Sequence, residues 1–168
     1  MNTMLEPILN EMREEAVITR RVLERVPADK LSWKPHQKSM SLGQLALHLA
    51  GTPGRLAKIL QQDQFEVPPQ NLEPPAPKDM AEVRETFEQS CRAAEECVSG
   101  MSEQSARANW RLIAHGKELF SKPRVAVLRS IMMNHCYHHR GQLSVYLRLL
   151  NVPVPIIYGR SADESPFD

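Results

Sequence analysis

The chain lacks any excess of charge: 21 Lys and Arg against 20 Asp and Glu leave a net +1 over 168 residues. No bulk field therefore recruits nucleic acid or an anionic membrane surface. It also lacks an apolar run approaching the ~18 residues of a membrane span, and MNTMLEPILNEMREEA has none of the basic, apolar, small-residue order of a signal peptide. The expectation is a cytoplasmic protein without nucleic-acid or membrane partners. Cysteine is scarce and unpaired in pattern: Cys91, Cys97 and Cys136 show no C-x-x-C spacing, which excludes a disulfide framework and a thiolate zinc cluster. Two metal motifs are missing as well. There is no Glu-x-x-His anywhere, which rules out a di-iron bundle. There is no H-E-x-x-H, because Cys136 stands where a hydrolase of that type needs its glutamate. No internal repeat is evident.

What is present is helical periodicity in one domain, residues 1–168, long enough to bury a core without staples. From Met4 to Val26 apolar residues recur at helical spacing until Pro27 stops them. Ser41-Leu42-Gly43-Gln44 has the form of a capping box and opens a second helix, with Gly51-Thr52-Pro53-Gly54 expected to kink it. VPPQNLEPPAP, Val67 to Pro77, contains five prolines and is expected to be an extended crossover between helices two and three. Asp79-Met80-Ala81-Glu82 starts a third helix that runs to about Gly100. WRLIAHGKELF fits either a short hairpin turning at His115-Gly116 or an irregular loop. A fourth helix, opened by Ser121 and Pro123, is expected to reach Asn151, before Pro153 and Pro155. Four amphipathic helices with a long Pro-rich crossover predict an all-α four-helix bundle.

Three of the six histidines fall within NHCYHHRGQL, residues 134–143. Residues four apart on a helix project about 40° from one another, so His135 and His139 share a face. His138 projects about 60° to the other side and is less well aimed. The stripe bearing the pair includes Leu128, Ile131, Met132, Gln142 and Tyr146, a core-facing pattern in which buried imidazoles need partners. His48, in the apolar LGQLALHLA, supplies the third ligand most simply. Three imidazoles on two helices would hold a zinc-like ion and leave positions open for chemistry. His36 and His115 are expected in loops, Cys136 in packing, and Trp33 as a core plug.

The blocks SLGQLALHLAG, preceded by LSWKPHQKSM, and NHCYHHRGQLSVYLRLLNVPVPIIYGRSADE resemble the DinB/YfiT-like family of metalloenzymes. The resemblance implies a four-helix bundle, a homodimer, a divalent ion such as Zn or Ni, and metal ligands at His48, His135 and His139. It further implies a transferase that joins a low-molecular-weight thiol of the bacillithiol, mycothiol or glutathione type to an electrophilic small molecule. A non-catalytic metal-binding stress-response bundle and a metal-dependent hydrolase or isomerase are the competing functions. Gln142, Tyr146 and His138 are then the candidate catalytic groups. Arg140 projects about 140° from His135 and is expected to pair with Asp163 or Glu164 of the tail. Gly141 is expected where another helix or a partner subunit approaches closely.

Overall fold

The computed structural model describes residues 4–69, 73–165 and 167. Helix α1, Glu6–Glu24, starts with a proline in its first turn and buries Ile8, Thr19, Val22 and Leu23. Helix α2, Leu42–Leu60, opens on the expected capping box: Gln44 N–H donates to Ser41 Oγ at 3.2 Å, and Ser41 N–H donates to Gln44 Oε1 at 2.8 Å. The helix passes through Pro53 without a break, and side chains bond to backbone groups on either side of it. Gly54 N–H donates to Ser90 Oγ at 2.7 Å, and Thr52 Oγ1 donates to the His48 carbonyl at 2.6 Å. Gly54 is required for the crossing itself, since a Cβ there would fall 2.9 Å from Ser90 Cα.

Helix α3, Met80–Ser99, packs along α2 and turns Val83, Phe87, Ala94 and Val98 inward. Asp79 Oδ1 accepts from Glu82 N–H at 2.9 Å, but the Glu82 carboxylate reaches one residue further back, to Lys78 N–H at 2.8 Å. The crossover before it is only partly the expected strap. Gln64–Val67 forms a strand, β1, and residues 70–72 lie outside the described part. Gln44, besides closing its box, donates through Nε2 to the Pro74 carbonyl at 2.7 Å and pins the strap to α2.

After the short helix α4, Glu103–Arg107, the chain forms β2, Asn109–Ala114, and β3, Lys117–Pro123. The two join through His115 and Gly116 at φ 51° and 71°, the positive values a two-residue hairpin turn demands. Beta-strand β1 pairs in parallel with β2, from Gln64 opposite Arg111 to Val67 opposite Ala114, so the sheet order is β1-β2-β3. The all-α expectation is therefore corrected: a helix-rich bundle carries a small mixed sheet. The hairpin alternative is the one realised, with Trp110 buried beneath it.

The last long helix begins later than expected. Ser121 lies in β3 opposite Arg111, and helicity starts at Arg124, with Pro123 as its cap. Three consecutive segments form this helix: α5, Arg124–Val127, a π-helical turn, Leu128–Met133, and α6, Asn134–Leu149. Arg124 is buried and acts as a staple, donating to the Leu60 and Gln62 carbonyls at 2.9 Å each and to Asp63 Oδ1 at 2.7 Å. It satisfies carbonyls that the end of α2 leaves without helical partners. No helix of the described residues is long and apolar enough to cross a membrane.

Candidate metal centre

His48 of α2 and His135 and His139 of α6 bring their ring nitrogens together. His48 Nε2 is 2.9 Å from His135 Nε2, and His139 Nε2 is 3.0 Å from the same atom. The potential ligand atoms all lie within 4.8 Å of one another. His139 is buried, and the other two are half-buried. Helical projection selects His135 and His139 and apolar context His48, and the trio is the one His, Cys, Asp or Glu cluster of metal-binding spacing among the described residues.

Burial dominates the electrostatics. It pushes the His48 and His135 rings down to about 4, with neighbouring His139 and Arg55 adding to the effect. Burial also lowers His139, against the opposing hydrogen bond from Gln142. All three are thus neutral at pH 7, the state a metal ligand needs. His139 Nδ1–H donates to Gln142 Oε1 at 2.7 Å, which leaves its Nε2 lone pair facing His135. Three neutral imidazoles whose Nε2 atoms meet at His135 cannot all find donors in one another. A divalent cation answers that shortage of donors, so the residues present fit such an ion.

Arg55 is part of the same neighbourhood. Its Nη2 lies 3.5 Å from His48 Nδ1, long for a hydrogen bond, and 3.1 Å from Thr52 Oγ1. Ligation through His48 Nε2 places a proton on Nδ1, and the exposed guanidinium then rests on Thr52 alone. Thr52 and Arg55 follow His48 by four and seven residues, so their position on its face was available from helical spacing.

The remaining expected groups divide. Gln142 adjoins the trio through His139. His138 is exposed, its ring centroid 4.9 Å from that of His139. Tyr146 sits further along: its hydroxyl donates to the Met40 carbonyl at 3.3 Å, and its ring meets Trp33 edge-on at 5.6 Å. Trp33 packs half-buried against the core, and Cys136 faces packing with its thiol pushed up to about 12 by burial. His36 and His115 lie on loops.

One expectation about the same helix is corrected, and one of two alternatives for another. Arg140 does not pair with either tail carboxylate. It is buried at 1% exposure, pairs with Glu15 of α1 at 2.6 Å, donates to Thr19 Oγ1 at 3.1 Å, and meets Tyr158 through its hydroxyl. The tail carboxylates find other cations: Glu164 takes Arg21 at 2.9 Å, and Asp163 takes Arg148 at 3.2 Å. Projection gives a direction, and α1 occupies that direction before the tail can. Gly141 faces open space, with nothing of the described chain within 4 Å of a Cβ placed there. Among the described residues no other helix comes that close, which corrects the helix alternative and leaves the partner-subunit one.

A family model described as DinB family matches residues 1–166. The uncharacterized protein YjoA of Bacillus subtilis (strain 168) is 26% identical over 131 residues, covering 78% of this chain and 80% of that protein. The crystal structure of a DinB-like protein from Bacillus cereus ATCC 10987 superposes with a TM-score of 0.70 at 20% identity, covering 91% of this chain and 97% of that one. The crystal structure of YjoA from Bacillus subtilis gives 0.69 at 21% identity, covering 92% and 99%. Both structural likenesses bear on the fold.

Proposed function

The chain belongs to the DinB family, and on that premise we propose that it is a divalent-metal-dependent transferase joining a low-molecular-weight thiol to an electrophilic small molecule. The observation that carries the reading is the convergence of three neutral Nε2 atoms at 2.9 and 3.0 Å. An ion of the Zn or Ni kind held by His48, His135 and His139 would supply positive charge that three neutral ligands leave uncompensated, favouring thiolate over thiol. The chain's own groups do the rest. Gln142 holds the His139 ring in the tautomer that presents Nε2. His138, exposed beside His139, would accept the proton that the thiol gives up. Arg55 offers a cation to an anionic part of the thiol. The thiol sulfur then forms the new C–S bond as the electrophile's leaving group departs with its electron pair. Tyr146, whose hydroxyl donates to the Met40 carbonyl, would serve as a hydrogen-bonding group toward substrate through its oxygen lone pair.

This reading includes a homodimer, for which Val145 and Leu149, one turn apart on α6 and 56% and 57% exposed, supply an apolar face.

Metal analysis of untagged protein tests the centre: wild type carries stoichiometric metal, and His48→Ala, His135→Ala and His139→Ala each lose it. Monochlorobimane conjugation with bacillithiol, mycothiol and glutathione tests the reaction. Metal-dependent conjugation with one thiol supports a transferase. Metal binding without conjugation across the panel leaves a binding bundle in its place.

A further inference from the structure

Helices α1 and α3 enclose a cavity of about 310 Å³ that contains none of the three clustered histidines. Its floor includes Leu49 and Cys136, each the residue directly after a histidine of the trio. A step of one residue turns a side chain about 100° around a helix, so the cavity and the metal centre use different faces of the same two helices. Met12, Ala16 and Phe87 line it from α1 and α3, and Met132 and Met133 from the π-helical turn. The cavity opens to solvent on one side, and a cleft of this volume with an apolar floor and a few polar groups at its rim is of the scale that takes a small molecule.

The mouth supplies the second observation. Arg20 donates to both carboxylate oxygens of Glu88, at 2.7 and 3.0 Å, and Arg13 donates to Glu95, at 2.8 Å through Nε. These pairs bridge α1 to α3 on either side of Arg92, which lines the mouth between them in sequence. The third acid of the lining, Glu15, is taken by Arg140 at 2.6 Å. Arg92 has no carboxylate within salt-bridge distance among the described residues, so its guanidinium acts on Glu88 only through space and keeps its donors free at the mouth of an apolar interior. The Cys91 thiol of the lining adds no charge, since burial pushes it up to about 11.

We propose that this cavity is a second binding site, separate from the metal centre, for a small apolar monocarboxylate whose hydrocarbon or aryl part enters between α1 and α3 and whose carboxylate meets Arg92. A volume of about 310 Å³ is at the lower end for small-molecule sites and accommodates a chain the size of octanoate. An acid fits where an amine does not, because an ammonium group at this mouth meets an unpaired guanidinium.

Calorimetric titration of the untagged, EDTA-treated full chain with octanoate, 1-octanol and octylamine tests the site. Octanoate is expected to bind at one per chain, at least tenfold more tightly than octanol, with octylamine weakest. Arg92→Gln brings octanoate to the level of octanol, and Arg92→Glu places octylamine first. Ala16→Phe, with circular dichroism unchanged, removes binding of all three, whereas His48→Ala leaves it intact. Absence of saturable binding overturns the proposal, as does equal affinity for acid and alcohol, or octanoate binding lost with His48. If Ala16→Phe does not fold, the Arg92 pair decides alone, because that side chain is exposed and its order reversal requires the carboxylate at the mouth.

Discussion

Gln142 Oε1 stands 2.7 Å from His139 Nδ1, and this contact decides which nitrogen of that imidazole turns toward His135. Without it the ring has no fixed tautomer. Gln142→Ala is expected to weaken divalent-metal affinity by about 10-fold, within the range for groups that hold a metal-binding histidine. Gln142→Glu, which keeps the acceptor, retains affinity. Competition against a chromophoric chelator reads both. Equal affinity in Gln142→Ala and wild type would remove the residue from the centre.

The buried imidazoles make the metal-free protein sensitive to acid. His48 and His135 are lowered from 6.5 to about 4, so in that interval the unfolded chain binds protons that the folded chain refuses. Their contribution to stability is complete above pH 6.5 and declines as pH falls toward about 4. Urea denaturation of EDTA-treated protein at pH 7, 5.5 and 4.5 should show a steeper loss in wild type than in a His48→Gln, His135→Gln double variant. Carboxylates titrate in both proteins, so the difference between them isolates the rings. Parallel curves would contradict the burial argument.

Helices α1, α2 and α3 were legible because their signals are local: Ser41 and Asp79 cap within four residues, and the apolar spacing of each stretch needs no partner to be read. His48, His135 and His139 were legible for the same reason, two from spacing on one helix and one from an apolar context. The sheet was not. Gln64 and Arg111 pair in parallel across 47 positions, and nothing in either short strand names the other. The start of the last helix was misplaced because Ser121 and Pro123 also suit the end of a strand, and the pairing with Arg111 decides between the two.

The Arg140 correction has an energetic consequence. Its side chain is 2% exposed and that of Glu15 is 17%, so removing one partner strands a charge largely out of water. Arg140→Met is expected to cost about 3 kcal/mol in chemical denaturation. Arg140→Lys should not restore it, because one ammonium cannot serve Glu15, Thr19 and the Tyr158 hydroxyl from a fixed planar fork. A loss below about 1 kcal/mol, the usual value of an exposed pair, would mean that the pair is solvated.

Two glycines give opposite signs on the same substitution. Gly116, at φ 71°, loses about 1 kcal/mol or more as alanine, because the hairpin turn requires a backbone conformation that side chains oppose. Gly141 sits in helix α6 with open space around it, and alanine there gains about 0.5 to 1 kcal/mol in the monomer. Sedimentation of Gly141→Ala separates the two roles expected of that position. A dimer weakened by the added methyl group places a partner subunit on it, and an unchanged association state leaves only the helix effect.

The π-helical turn at Leu128–Met133 stands between the Arg124 staple and the histidines. Such a turn holds one residue more than an α-turn, and one residue is worth about 100° of rotation. Shortening that segment by a single codon would swing His135, His139 and Arg140 together away from α2 and α1 while leaving every letter of NHCYHHRGQL unchanged. The address of the site within the bundle is thus a matter of phase, set upstream of the motif, and a motif copied intact into a helix without that extra residue would arrive on the wrong face.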